Sequence, residues 1–149
     1  VSQGSVPEAE RFETLRAMSF FREFSDAELW EVIRLSQFSR VAPGTRIMKE
    51  DEGGDSICFI VDGEARVKKR GRLLNVLSAG ECFGEIAVFS AAAGVRSASV
   101  EATTETALVT LRARALQRAS NTCRMHFYKA FLEVLATRLS LASARIANL

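Results

Sequence analysis

Between Phe38 and Arg112 the chain cannot run straight for long. Turn-forming residues break it at Pro43-Gly44, in the acidic, glycine-bearing stretch Asp51–Asp55, at Asp62-Gly63, at Arg70-Gly71-Arg72 and at Gly80. Glycine supplies positive φ at no steric cost and proline presets a turn, so each site punctuates the backbone. The pieces between them are strand-like: Thr45–Lys49, Ser56–Val61, Ala65–Lys69, Leu73–Leu77, then Ser97–Ala102 and Thr106–Arg112. Ser56–Val61 is almost continuously apolar, which predicts a strand buried on both faces. Asp62-Gly63 reads as a hairpin turn. Eight or so short strands with turns this frequent predict an antiparallel β-roll or jelly roll.

Helices flank that region. From about Val6 to Met18, Phe12, Leu15 and Met18 share one side of a helix. An apolar connector with Phe20, Phe21 and Phe24 leads to Ser25-Asp26-Ala27-Glu28, a capping box, with Phe24 and Leu29 placed as its hydrophobic staple. The second helix carries Leu29, Val32 and Ile33 and fades near Ser36. Beyond the strands a short helix spans 113–119, and a long one runs from about Asn121 to the end with no Gly or Pro to stop it. On it Tyr128, Leu132, Leu135, Leu139, Ala142, Ile146 and Leu149 recur in steps of four and three, a heptad seam. A second line holds Phe127, Phe131, Val134, Arg138 and Leu141. The seam predicts a partner helix, its own twin in a homodimer, and the second line predicts packing on the roll; the alternative is that both pack within one subunit. The expected class is α+β, mainly β: an eight-stranded antiparallel β-roll flanked by N-terminal helices and a long C-terminal helix. Its parts are a helical segment 1–36, the roll 37–112 and the C-terminal helices 113–149, all one domain.

A chain of 149 residues that is 48% apolar can bury one good core. A net charge of +2 is too small to predict a nucleic-acid or membrane partner. No apolar run is long enough to span a bilayer, and no basic-then-apolar leader is present. The first residue is Val1, so the chain is expected to be a piece of something longer. Three widely spaced cysteines, Cys58, Cys82 and Cys123, suit buried thiols in a reducing compartment such as the cytoplasm. The single histidine, His126, has no metal-ligand spacing around it and no partner for acid–base work, so neither a metal, a cofactor nor catalysis is expected. The basic cluster Lys68-Lys69-Arg70 with Arg72 reads as a solvated hairpin tip.

The chemistry concentrates in Gly80-Glu81-Cys82-Phe83-Gly84-Glu85-Ile86-Ala87, followed by Arg96-Ser97-Ala98. A turn glycine and a buried aromatic precede a second glycine that opens one short helical turn. Free backbone N–H groups at such a place suit an anion. Arg96 adds a guanidinium fork that matches phosphate oxygens two at a time. Glu85 beside that pair needs a task of its own, and accepting a hydrogen bond from a sugar hydroxyl is the natural one.

Gly-x-x-Phe-Gly-Glu-Ile-Ala followed by Arg-Ser-Ala resembles the phosphate-binding cassette of the cyclic nucleotide-binding domain family, which includes the catabolite activator protein, kinase regulatory subunits and cyclic-nucleotide-gated channels. The likeness extends over roughly Leu15 to Leu149. It implies that Gly84, Ile86 and Ala87 offer backbone N–H groups to a cyclic phosphate, with Phe83 and Ala98 beside them. It also implies that Glu85 takes the ribose 2′-hydroxyl, Arg96 neutralises the phosphate, and Ser97 adds a hydroxyl to phosphate or base. Serine at position 97 is compatible with cAMP and cGMP, with cAMP mildly favoured. The C-terminal helix resembles that of the catabolite activator protein. That places Arg138 near the ligand, or alternatively in a salt bridge between roll and helix, and Ser143 at the dimer seam, reaching towards the base. One departure stands out: the loop Ser90–Val95 is a residue or two longer than usual, and Val95 replaces the proline often found before the arginine. The expected function is a non-catalytic sensor whose long helix is lid and output. Two alternatives remain: the sensory half of a transcription regulator, or the regulatory module of a channel or kinase. A third is a dimerisation domain with a dead pocket.

Overall fold

The computed structural model describes residues 6–85, 89 and 95–148. Helix α1 (Glu8–Ala17) and a 3₁₀ turn (Ser19–Phe21) precede α2 (Asp26–Leu35). Eight strands follow: β1 (Ser36–Val41), β2 (Arg46–Met48), β3 (Ser56–Asp62), β4 (Glu64–Lys69), β5 (Arg72–Ser78), β6 (Cys82–Phe83), β7 (Ser99–Ala102) and β8 (Thr106–Arg112). The chain then forms α3 (Ala113–Leu116) and α4 (Asn121–Ala147). The strands make two antiparallel four-stranded sheets, ordered β1-β8-β3-β6 and β2-β7-β4-β5.

The apolar run in β3 has a plain cause. Ile57 and Phe59 face a core shared with the helices, while Cys58 and Ile60 face the core between the sheets. Both faces of the strand are therefore buried, and alternation disappears. The helix-side core is aromatic: Phe20, Phe21, Phe24, Phe59, Phe127 and Phe131 interlock, mostly edge to face. It fixes the first turns of α4 against the roll.

The Asp62-Gly63 turn is not a hairpin. β3 pairs with β6 and β8, whereas β4 pairs with β5 and β7, so the chain crosses here from one sheet to the other. Gly63 has φ +104, and a Cβ on it would come 2.6 Å from the Glu105 carbonyl oxygen and the Thr106 hydroxyl. Only glycine passes that corner. Arg70-Gly71, by contrast, does close a hairpin, with Lys69 opposite Arg72.

The capping box forms as expected. Ser25 Oγ accepts from the Glu28 amide at 3.2 Å, and Glu28 Oε1 accepts from the Ser25 amide at 2.9 Å. Phe24 and Leu29 are both buried in the helix-side core. Glu28 does a second job: its Oε2 lies 2.8 Å from His126 Nδ1 on α4. Burial would raise this carboxyl, yet the Ser25 amide and His126 hold it below the usual carboxylate range. Glu31 accepts from both the amide and the hydroxyl of Ser120, each at 2.8 Å, and Ser120 caps α4. Helix α2 thereby grips the start of the long helix. No helix among the described residues is long and apolar enough to cross a membrane.

Candidate functional site

A cavity of about 240 Å³ opens where β6 and the following turn meet β7, β4, β5 and helix α4. Its walls include Phe83, Gly84, Glu85, Arg96, Ser97, Ala98 and Arg138. The structure thus brings together seven residues that the sequence assigned to the site. Ile86 and Ala87 lie outside the described residues, as do five residues, 90–94, of the long loop. Ser143 is exposed on α4 and does not line this cavity.

Arg96 is 7% exposed although it carries a full charge. Its main chain explains how it arrives there despite the long loop before it. The Arg96 amide donates to the Glu52 carbonyl at 2.8 Å, and its carbonyl accepts from the Asp51 amide at 2.9 Å. The acidic loop after β2 therefore fixes its position from outside the cassette. At the far end Nη1 donates to the Gly84 carbonyl at 3.0 Å and Nη2 to Ser56 Oγ at 3.2 Å. No carboxylate lies within ion-pair distance of it among the described residues. A Cβ on Gly54 would come 2.7 Å from its Cζ, and one on Gly84 2.9 Å from its Nη1. The guanidinium is cradled between two bare backbones, its charge left for something else.

Glu85 is 3% exposed. Arg138, reaching down from α4, donates through Nη1 to Glu85 Oε1 and through Nη2 to the Cys82 carbonyl. The two readings of Arg138, cavity wall and roll–helix salt bridge, describe the same side chain. Glu85 Oε2 is buried and has no partner among the described residues. A buried carboxylate oxygen without a donor costs on the order of 1–3 kcal/mol. Cys82 also borders the cavity, but burial, reinforced by the neighbouring Glu85, pushes its thiol up to about 12, which keeps it unreactive.

Apart from Asn75, the rest of the wall is apolar: Val67, Leu74, Leu77 and Val100. The deciding comparison is that the family model for the cyclic nucleotide-binding domain matches residues 38–123. The chain belongs to the cyclic nucleotide-binding domain family. A cyclic nucleotide-gated potassium channel from Rhizobium etli is 34% identical over 102 residues, covering 68% of this domain and 28% of the channel. A cGMP-dependent protein kinase from Caenorhabditis elegans is 26% identical over 122 residues, covering 82% of this domain and 15% of the kinase. The domain therefore spans less than a third of either relative. The crystal structure of a cyclic nucleotide-binding domain from Methylobacillus flagellatus superposes with a TM-score of 0.79 at 22% identity, covering 93% of this chain and 82% of that one; it shares the fold. This is a regulatory domain of the cyclic nucleotide-binding kind.

Four features of the domain's cavity were not singled out from sequence. Ser56 and Gly54 hold Arg96, Cys82 lends its carbonyl to Arg138, and the apolar wall comes from β4, β5 and β7. Only the apolar wall carried a sequence signal, as the inward positions of those strands.

Proposed function

We propose that the domain binds a 3′,5′-cyclic purine nucleotide and couples its binding to the position of α4. The bare Glu85 Oε2 is the observation that carries this reading: a ribose 2′-hydroxyl is a donor of the right size beside an uncompensated guanidinium. In it Arg96 neutralises the cyclic phosphate, the backbone amides of Gly84, Ile86 and Ala87 complete the anion seat, and Phe83 and Ala98 flank it. Ser97 adds its hydroxyl, and on the cassette alone cAMP keeps a mild lead. Arg138 ties the helix to the sugar-binding carboxylate, so ligand and helix act through one residue. A ligand shifts the helix only by its differential affinity for the two positions, typically about 1–3 kcal/mol. A transcription regulator, a channel and a kinase are the effectors that such a movement would serve.

Calorimetric titration with cAMP, cGMP and 2′-deoxy-cAMP tests the reading. The deoxy analogue is expected to bind at least about tenfold more weakly than cAMP, because Oε2 stays unsatisfied. Equal affinities would remove Glu85 from its role. Absence of binding by all three would leave a dimerisation domain.

The seam on α4 supports a homodimer. Leu132, Leu139 and Ile146 are 67%, 69% and 70% exposed in one chain, a costly apolar stripe unless a second helix covers it. Ser143 then sits near that interface and approaches the base from the partner side. Leu139→Glu should halve the mass seen by light scattering; an unchanged mass would remove the seam from the interface.

A further inference from the structure

The small net charge of the chain conceals an uneven distribution. Between Glu8 and Leu35 seven carboxylates outnumber four arginines, while the β4–β5 hairpin, 64–78, carries five cations and one carboxylate. These two regions lie on opposite sides of the molecule. The N-terminal helices share a core with β1, β3 and β8, whereas β4 and β5 belong to the second sheet, behind the first.

Register fixes what the outer face of that second sheet presents. Ala65 and Leu77 lie opposite each other and are buried between the sheets, so their neighbours Arg66 and Val76 point outward. Past the bulge, Lys68 pairs with Leu73 on the same outer face. Glu101 and Ser99 of β7 stand beside Arg66 and Lys68, and Arg46 of β2 stands beside Glu101. Arg46, Arg66, Lys68, Ser99 and Glu101 line a cavity of about 330 Å³. On β5, the outermost strand, Leu73 and Val76 are 55% and 42% exposed.

Two features of the hairpin cost stability. Lys69 and Arg72 are directly opposite each other, a like-charge pair. Arg70 has φ +52, in the left-handed region that Asn or Gly adopts with less strain. Glu50 accepts from the Arg70 amide at 2.9 Å, which holds the turn and not the guanidinium. No carboxylate lies within ion-pair distance of Arg66, Lys68, Lys69, Arg70 or Arg72 among the described residues.

Cations that repel one another beside exposed apolar side chains fit a partner with anionic groups outside and an apolar layer beneath. A nucleic-acid backbone has no use for Leu73 and Val76. An anionic bilayer takes both kinds of group, charges at the headgroups and apolar side chains just below them. We infer that the outer face of the β4–β5 hairpin docks on an anionic phospholipid surface, with headgroup phosphates at Arg66, Lys68 and the Lys69–Arg72 turn. The contact is peripheral: Leu73 and Val76 enter the interface, and the acidic helices face away from it. This inference is independent of the cyclic nucleotide reading.

Flotation tests it, with vesicles of phosphatidylcholine alone and vesicles in which roughly one lipid in four is phosphatidylserine. The chain should partition at least about tenfold more strongly onto the anionic vesicles, and that excess should fall steeply with added salt. A triple variant, Lys69→Gln, Arg70→Gly and Arg72→Gln, removes both costly features, so its melting temperature should be unchanged or raised. Its partition onto anionic vesicles should drop about a hundredfold. Leu73→Ser should weaken that partition about tenfold without altering its salt dependence. Equal partition onto the two kinds of vesicle, or an unaffected triple variant, overturns the inference. If the triple variant melts lower or does not fold, the wild-type vesicle comparison and Leu73→Ser decide. Vesicle binding unchanged in Leu73→Ser, or duplex DNA bound as tightly as the anionic vesicles, would make the face a general polyanion surface and refute the bilayer assignment. A halved light-scattering mass in Leu73→Ser would give the apolar strip to a second copy of the chain and refute it equally.

Discussion

Arg96 and Arg138 reach the same cavity from opposite walls and are held in different ways. Arg96 belongs wholly to the roll: its main chain is pinned to Asp51 and Glu52, its side chain to Gly84 and Ser56. The Arg138 side chain is 38% exposed and hangs from α4, whose earlier turns are locked into the aromatic core while its later turns face solvent. One guanidinium is therefore prepositioned before any ligand arrives, and the other is a link that can be broken and remade. Prepositioning lowers the cost of capturing an anion. On the proposed function, a breakable link suits the helix that reports binding, since the parts that move in a switch are drawn from the weakly held end of a structure.

Removing Arg96 should break the comparison most sharply. Arg96→Ala is expected to weaken cyclic nucleotide binding by roughly 2–5 kcal/mol, the range for deleting one partner of a desolvated charge pair. Hydrogen exchange along α4 should not change in the ligand-free protein. Unchanged affinity in calorimetry would take Arg96 out of the phosphate site.

Arg138→Ala should show the opposite pattern. It strips the Cys82 carbonyl and Glu85 Oε1 of their donor, but water reaches the half-exposed position, so about 1–2 kcal/mol of stability is expected to be lost. Amide exchange should rise in the turns after Val134 and stay slow around Phe127 and Phe131. A uniform rise along the whole helix would mean that the aromatic core, not this link, decides where the helix sits.

Legibility from sequence divides along a similar line. The strands, the capping box, the long helix and the gathering of Gly84, Glu85 and Arg96 were all readable, because each rests on local pattern or a compact motif. Asp62-Gly63 misled because a turn dipeptide announces a reversal but not which sheet the next strand joins; that is set by burial of β3 on both sides. His126 read as a lone histidine since its partner, Glu28, is 98 residues away and was already assigned to the capping box. Gly54 looked like an ordinary loop glycine.

Gly54 supplies the subtlest test, because it touches Arg96 without charge or hydrogen bonding. A Cβ there would come within 2.7 Å of the guanidinium carbon, and the obstacle it meets is the end of a flexible side chain rather than backbone. Gly54→Ala should therefore leave the fold intact and displace the guanidinium from its seat against Gly84 and Ser56. Misplacing a charge by a fraction of an ångström weakens its hydrogen bonds without removing its field, so affinity should fall about tenfold, near 1.4 kcal/mol, less than in Arg96→Ala. In a double variant with Arg96→Ala the Gly54 effect should vanish, since nothing remains to be displaced. An additive loss would mean that Gly54 shapes the cavity independently, and that the two bare backbones do not cradle the arginine for a purpose. A silent Gly54→Ala would mean that the roll tolerates a looser Arg96, erasing the contrast with Arg138 that the rest of the mechanism depends on.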